Sequence, residues 1–322
     1  MKNRYFQRLR GIAAVLLAVL LFGCGKAAQE NKIRIGVSIP SADHGWTGGV
    51  VWWAEQTRKK YSGADSPVEI IISTARDAGE QVDKVENLLM RGIQALVILP
   101  HEPGPLTGIC ERVAGQGIYL VVVDRGLDRQ VQNVTVAGDN EGFGRECARA
   151  LAGKLSGQGR IVIMEGIPCP VNSARVEAFK AVLQDYPGIS VLDSQPAYWD
   201  PEKGLKVMEN FLQKYSELDA VWTGDDDVLL GALRAYQESG RKDVKFFIGG
   251  AGSKAVVRKV LEQDPLVPFD VTYPPNMIAE GVEEAIRGVQ SGDTGKGRTR
   301  IIPAEVITPA NAAEYYFPDS TY

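Results

Sequence analysis

The stretch SADHGWTGG, residues 41–49, sets Asp43, His44 and Trp46 among small, turn-forming residues. An Asp beside a His suggests general acid–base chemistry, a run of glycines suggests a phosphate cradle, and an indole suggests a stacking surface. Adjacent side chains on an ordinary backbone point in different directions, so Asp43 and His44 are not a dyad by adjacency. The only other histidine is His101, and no G-x-S-x-G nucleophile elbow occurs. HGWTGG fits neither G-x-G-x-x-G nor G-x-x-x-x-G-K-[ST]. Its glycines read instead as letting a helix start close to a ligand, with Thr47 as N-cap. A glycoside hydrolase needs two carboxyls flanking the bond it cuts, and Asp43 with Asp225 keeps that alternative open. The main expectation is a protein that is not an enzyme and has no catalytic residue.

Stepping along the chain, ten short apolar runs are candidate strands: 33–38, 68–73, 95–100, 119–124 and 133–138, then 160–165, 189–194, 219–224, 244–249 and 268–272. Most are continuously apolar, the mark of parallel strands covered on both faces. Helix-length segments separate them, with apolar residues at helical spacing in 83–93, 204–215 and 280–289. The class is therefore α/β with parallel sheets. The length suits two lobes in close contact. The break is placed near AGDNEGFG, 137–144, where Asp139-Asn140 would cap a new helix.

In doubly wound sheets, ligands bind beyond the carboxyl ends of the strands. The residues that follow the runs are therefore the candidates. Ser38, Asp43, His44 and Trp46 follow the first run, and Asp124 and Arg125 the fourth. Asn172 and Arg175 follow the sixth, Tyr198, Trp199 and Asp200 the seventh, and Asp225, Asp226 and Asp227 the eighth. GGAGS with Ala251 follows the ninth, and Thr272 and Tyr273 close the tenth. Carboxylates, amides and guanidinium forks satisfy paired hydroxyls, and indoles pack on C–H faces, so the mixture suits a carbohydrate. Trp46 and Trp199, one from each half, would sandwich the ring. Plainer roles compete: core packing for Trp52 or Trp53, a helix start for Asp226 and Asp227, and a structural ion pair for Asp124-Arg125.

Lys2, Arg4, Arg8 and Arg10 precede an apolar run of about a dozen residues, 11–22, too short to span a membrane and suited to a secretory signal. LFGC, 21–24, resembles the lipobox of bacterial lipoproteins and implies a lipid anchor on Cys24, with 1–23 removed and 24–31 as tether. Removing those four positive charges and no acids takes the formal net charge from -4 to -8. An acidic chain without a basic cluster is a poor nucleic-acid binder. Cys110, Cys147 and Cys169 lack CxxC spacing, so no metal site or cofactor is expected, and Cys110 and Cys147 read as small buried apolar residues.

VVVDR, AGDNEGFG, SARVEAF, SQPAYWDPEKGLKVMENFL and DAVWTGDDDVLLGALRA resemble the type I periplasmic sugar-binding proteins along nearly the whole mature chain. The resemblance implies two Rossmann-like lobes joined by three crossovers, with a monosaccharide or polyol in the cleft between them. The lobes would be 32–138 plus 273–298 and 139–272 plus 299–322. It also implies an ABC permease as partner, a monomer, and a lipid-anchored place on the periplasmic or cell-surface side of the membrane. A receptor that presents a sugar-like signal to a membrane sensor shares the fold. A lactose-repressor-like regulator does too, but a signal segment stands where its helix-turn-helix would be.

By the same resemblance, Asp124, Arg125 and Arg175 match residues that grip ring hydroxyls. Trp46 and Trp199 match the stacking aromatics, Asp225 replaces an Asn, and Thr272 sits near a hinge-side Gln. Two departures stand out: the family's Asp after the ninth strand is here Ala251, and His44 falls where the family has no such group.

Overall fold

The computed structural model describes residues 32–42 and 45–322. The expected signal peptide, Cys24, the tether, Asp43 and His44 lie outside the described residues. The chain opens with an alternating series: β1 (Ile33–Pro40), α1 (Gly45–Lys60), β2 (Val68–Ala75), α2 (Ala78–Met90), β3 (Ala95–Ile98), α3 (Pro103–Gly115), β4 (Tyr119–Val123) and β5 (Val134–Gly138). A second series follows: α4 (Asn140–Lys154), β6 (Gln158–Glu165), α5 (Pro170–Leu183), β7 (Gly188–Pro196), α6 (Pro201–Lys214), β8 (Ala220–Thr223), α7 (Asp226–Ser239), β9 (Phe246–Ile248) and α8 (Lys254–Leu261). It ends with β10 (Asp270–Val271), α9 (Met277–Ser291), β11 (Arg298–Ile302), β12 (Val306–Ile307) and α10 (Ala312–Tyr315).

Two parallel sheets result, with orders β2-β1-β3-β4-β5-β11 and β7-β6-β8-β9. In both, the order reverses beside the first strand of the series, β1/β3 and β6/β8, which is where a crevice opens at the strand ends. β3, β4 and β8 are buried along their whole length, which explains their unbroken apolar runs. Asp139 caps α4 as expected, its carboxylate accepting the Gly142 N–H.

Three expectations shift. The lobe boundary at 298 falls on the first residue of β11, which pairs with β5, so the first half extends through Ile302. The tenth run shortens to two residues that pair antiparallel with β12, and it joins the chain after β9 through a parallel bridge between Ala251 and Thr272. Thr47 lies inside α1 rather than at its N-cap.

The chain crosses between halves three times: after β5, after β10 and after β11. The second and third crossings are tied together, because Thr272 N donates to Glu305 O and Glu305 N donates to Thr272 Oγ1, both at 2.9 Å. One continuous core passes through both halves, joining Val97, Val121 and Ile278 to Phe143, Phe179 and Trp222. Separate clusters cover the outer face of each sheet, around Leu96 and Leu106 in the first and Val221 and Phe247 in the second.

Candidate functional site

On the first-half edge, Ser38 Oγ accepts from Gln81 Nε2 at 3.2 Å, and Gln81 Oε1 accepts the His101 N–H at 2.7 Å. Arg125 Nη1 donates to His101 O at 2.9 Å. Gln81 is fully buried on α2, so it fixes the ends of β1 and β3, and through His101 it places Arg125. Among the described residues Asp124 and Arg125 form no ion pair; Asp124 accepts from Tyr273 Oη at 2.5 Å instead.

From Tyr273 the contacts continue across the cleft. Asn140 Nδ2 donates to Tyr273 Oη at 3.3 Å, and Asn140 Oδ1 accepts from Arg175 Nε at 2.9 Å. Arg175 Nη1 donates to Gly224 O at 2.9 Å, at the end of β8. The guanidinium lies over the rings of Tyr273 at 4.2 Å, Phe143 at 4.4 Å and Trp199 at 5.8 Å. A cation this buried, at 4% exposure, needs such partners to offset its lost hydration. Burial and the Asp124 charge push the Tyr273 phenol far above its ordinary value, so it stays a donor to Asp124.

The expected aromatic sandwich takes a different form in the two halves. Trp46 is only 9% exposed, donates its Nε1–H to Tyr273 O at 2.9 Å and leans on the Tyr273 ring at 6.0 Å. Trp199 Nε1 is buried without a partner among the described residues. Its indole fills the space above Gly166, where a Cβ would come within 2.1 Å of Nε1. The two indoles make no ring contact with each other. Asp124, Tyr198, Trp199 and Ala251 all have positive φ (58°, 61°, 55° and 124°), so uncommon backbone conformations gather at these strand ends.

Asn172 is committed locally, its Oδ1 accepting the Gly166 N–H at 2.7 Å and its Nδ2 donating to Glu165 at 3.2 Å. Asp225 caps α7 by accepting the Val228 N–H at 2.9 Å. Burial, with Asp227 beside it, raises its carboxyl well above the usual range. Asp227 is raised to about 6, mainly by burial and then by Asp226. Asp226, read as a helix-start residue, also anchors the GGAGS loop, accepting Gly250 N–H at 2.8 Å and Ser253 N–H at 2.6 Å. Asp270 accepts the Gly252 N–H at 3.2 Å from the other side, and burial raises both carboxyls. Ala251 thus stands in a loop that two buried aspartates hold.

Asn140, Phe143, Gln81 and Asp270 are the residues that sequence reasoning missed. AGDNEGFG carried a signal for two of them, but Asn140 was read only as part of a cap. Among the described residues no group of three or more His, Cys, Asp and Glu could hold a metal ion, and no helix is long and apolar enough to cross a membrane.

Residues 35–291 match the periplasmic binding protein domain. The chain is 30% identical to the ribose import binding protein of Bacillus subtilis (strain 168) over 267 residues, 83% of this chain and 84% of the relative. It is 26% identical to the D-apiose import binding protein of Paraburkholderia graminis, over 95% of this chain and 96% of that protein. Among solved structures, an ABC transporter solute-binding protein from Bacillus halodurans C-125 with bound myo-inositol superposes with a TM-score of 0.75. That likeness, at 25% identity, covers 91% of this chain and 100% of the other. With its paired parallel sheets and three crossings, the chain belongs to the type I sugar-binding branch of the periplasmic binding protein family.

Proposed function

We propose that the protein is an extracytoplasmic solute-binding lipoprotein that captures a monosaccharide or related polyol by hinge closure and delivers it to an ABC permease. The observation that carries this reading is the continuous path Asp124–Tyr273–Asn140–Arg175–Gly224, which brings strand ends of both sheets to one place. A solute that touches both halves favours the closed form by its differential contacts. Relatives named for ribose and D-apiose, and a neighbour holding myo-inositol, support a polyhydroxylated solute.

In this reading Asp124, Arg125 and Arg175 bond ring hydroxyls, Trp199 packs on the ring, and Asp225 accepts from a hydroxyl. Trp46 forms the opposite wall, Ser38, Asn172, Thr272 and Tyr273 shape the rim and hinge side, and Ala251 leaves room where a carboxylate would stand. Asp43 and His44 complete the first-half lip. Micromolar affinity corresponds to about 8 kcal/mol, within reach of several charge-assisted bonds and a stacked ring.

A thermal-shift screen against monosaccharides and polyols tests the reading, since a bound solute raises the melting temperature by mass action. A panel without any shift sinks it. Mass spectrometry of membrane-extracted protein checks the lipid on Cys24, and light scattering checks the monomer.

A further inference from the structure

The glycines of SADHGWTGG make room for a segment of this same chain. A Cβ at Gly45 would come 2.8 Å from Tyr322 Cδ2, at Gly48 3.5 Å from Thr321 Oγ1, and at Gly49 3.0 Å from Tyr322 Cβ. Segment 317–322 therefore lies along the first turns of α1, and the missing side chains at Gly45 and Gly49 permit the approach, whereas Gly48 is at ordinary contact distance. Phe317 adds a second contact with the same helix, its ring edge-on to Trp53 at 5.0 Å and 6.2 Å from Trp52.

The second half holds the same segment. Lys254 Nζ, at the start of α8, donates to Ser320 O and, at 3.4 Å, to Pro318 O. Ser320 Oγ accepts the Tyr322 N–H at 3.1 Å, which fixes the turn that sends the Tyr322 ring inward. That ring is 8% exposed, and its hydroxyl is buried without a partner among the described residues. The Asp225–Asp227 run lies beside it: Asp227 Oδ1 and Tyr322 Cδ2 stand 2.9 and 2.8 Å from the same Cβ position on Gly45. Both Asp227 carboxylate oxygens lie 2.9 Å from that Cβ position, so α1 meets α7 at this point.

We propose that segment 317–322 is a strap across the two halves, and that burial of Tyr322 between α1 and α7 biases the protein toward its closed form. A side chain buried by two bodies contributes its full burial only while both are close, which is a differential free energy between closed and open states. A pocket of about 340 Å³ lies beside the strap, lined by its Phe317 and Tyr322 and by Thr272, Pro275, Ile302 and Pro303 of the crossing segments.

The proposal rests on the closing motion proposed above but is tested without a solute. Small-angle scattering of the ligand-free full chain is compared for wild type, Tyr322→Phe and Tyr322→Ala, with circular dichroism as the folding control. The expected result is a larger radius of gyration for Tyr322→Ala, and for Tyr322→Phe the wild-type value, because the ring rather than the hydroxyl bridges the halves. Lys254→Ala, which removes the side-chain tie of the second half to Ser320 O and Pro318 O, shifts scattering the same way and decides the matter if Tyr322→Ala does not fold. Equal scattering of wild type and the folded variants overturns the strap. That outcome leaves the solute reading standing, and an empty solute screen leaves the scattering result intact.

Discussion

On the first-half edge of the cleft, Trp46 spends its indole N–H on Tyr273 O and Asp124 is already bonded to the Tyr273 hydroxyl. On the second-half edge, among the described residues, Trp199 Nε1 has no partner and Asp225 and Asp227 are raised by burial without a countercharge bonded to them. Both edges carry the same residue types at equivalent strand ends. The stacking aromatics differ: among the described residues the Trp46 indole N–H is spent on the protein, and the Trp199 indole N–H is not. In the proposed reading, Trp199 therefore offers a solute an indole N–H as well as a ring face, and Trp46 offers a ring face already fixed in place.

The largest expected effect breaks both edges together. Arg175→Ala removes the group that joins Asn140 to Gly224 O and supports three rings. It is expected to cost about 3 kcal/mol of stability and to abolish measurable solute binding. Urea unfolding and calorimetry check it, and unchanged affinity sinks the assignment of Arg175. Trp199→Ala comes next, with a 10- to 100-fold loss of affinity, about 1–3 kcal/mol, and little change in melting temperature.

Tyr273→Phe deletes the hydroxyl between Asp124 and Asn140 and is expected to lower stability by about 1–2 kcal/mol, read from the urea midpoint. Trp46→Phe loses one hydrogen bond, about 1 kcal/mol of stability, with a smaller loss of affinity than Trp199→Phe. If Trp46→Phe is the more damaging to affinity, the contrast between the edges is wrong.

The smallest effect is a pH dependence. Asp227 holds its proton more tightly folded, with its carboxyl at about 6, than unfolded, where an Asp titrates near about 4. Its contribution to stability is therefore fully present below about pH 4 and is lost as pH rises through about 6. Asp227→Asn is expected to flatten that fall and to gain about 1 kcal/mol at pH 7, measured by unfolding at several pH values.

The strands that were legible are those buried on both faces, such as β3 and β8, because burial of that kind leaves an unbroken apolar run. β11 was not legible: RTRII is an edge strand exposed over most of its length, so its pairing with β5 left no hydrophobic trace. The row of candidate residues was legible because α/β topology puts every strand end on one edge. Their partners were not. Asn172 and Asp225 share residue types with free ligand groups, yet the structure has them serving a loop and a helix cap.

By itself, then, the sequence determined the α/β class, the two series of strands and the residue types that line their ends, since burial periodicity and strand order are written locally. The tertiary structure alone decided which groups are already satisfied and which remain free. Tyr273 meets Asp124 across 149 positions, and Tyr322 meets Gly45 from the far end of the described chain. Such pairings depend on how two independently ordered sheets are brought together, and no local pattern encodes that.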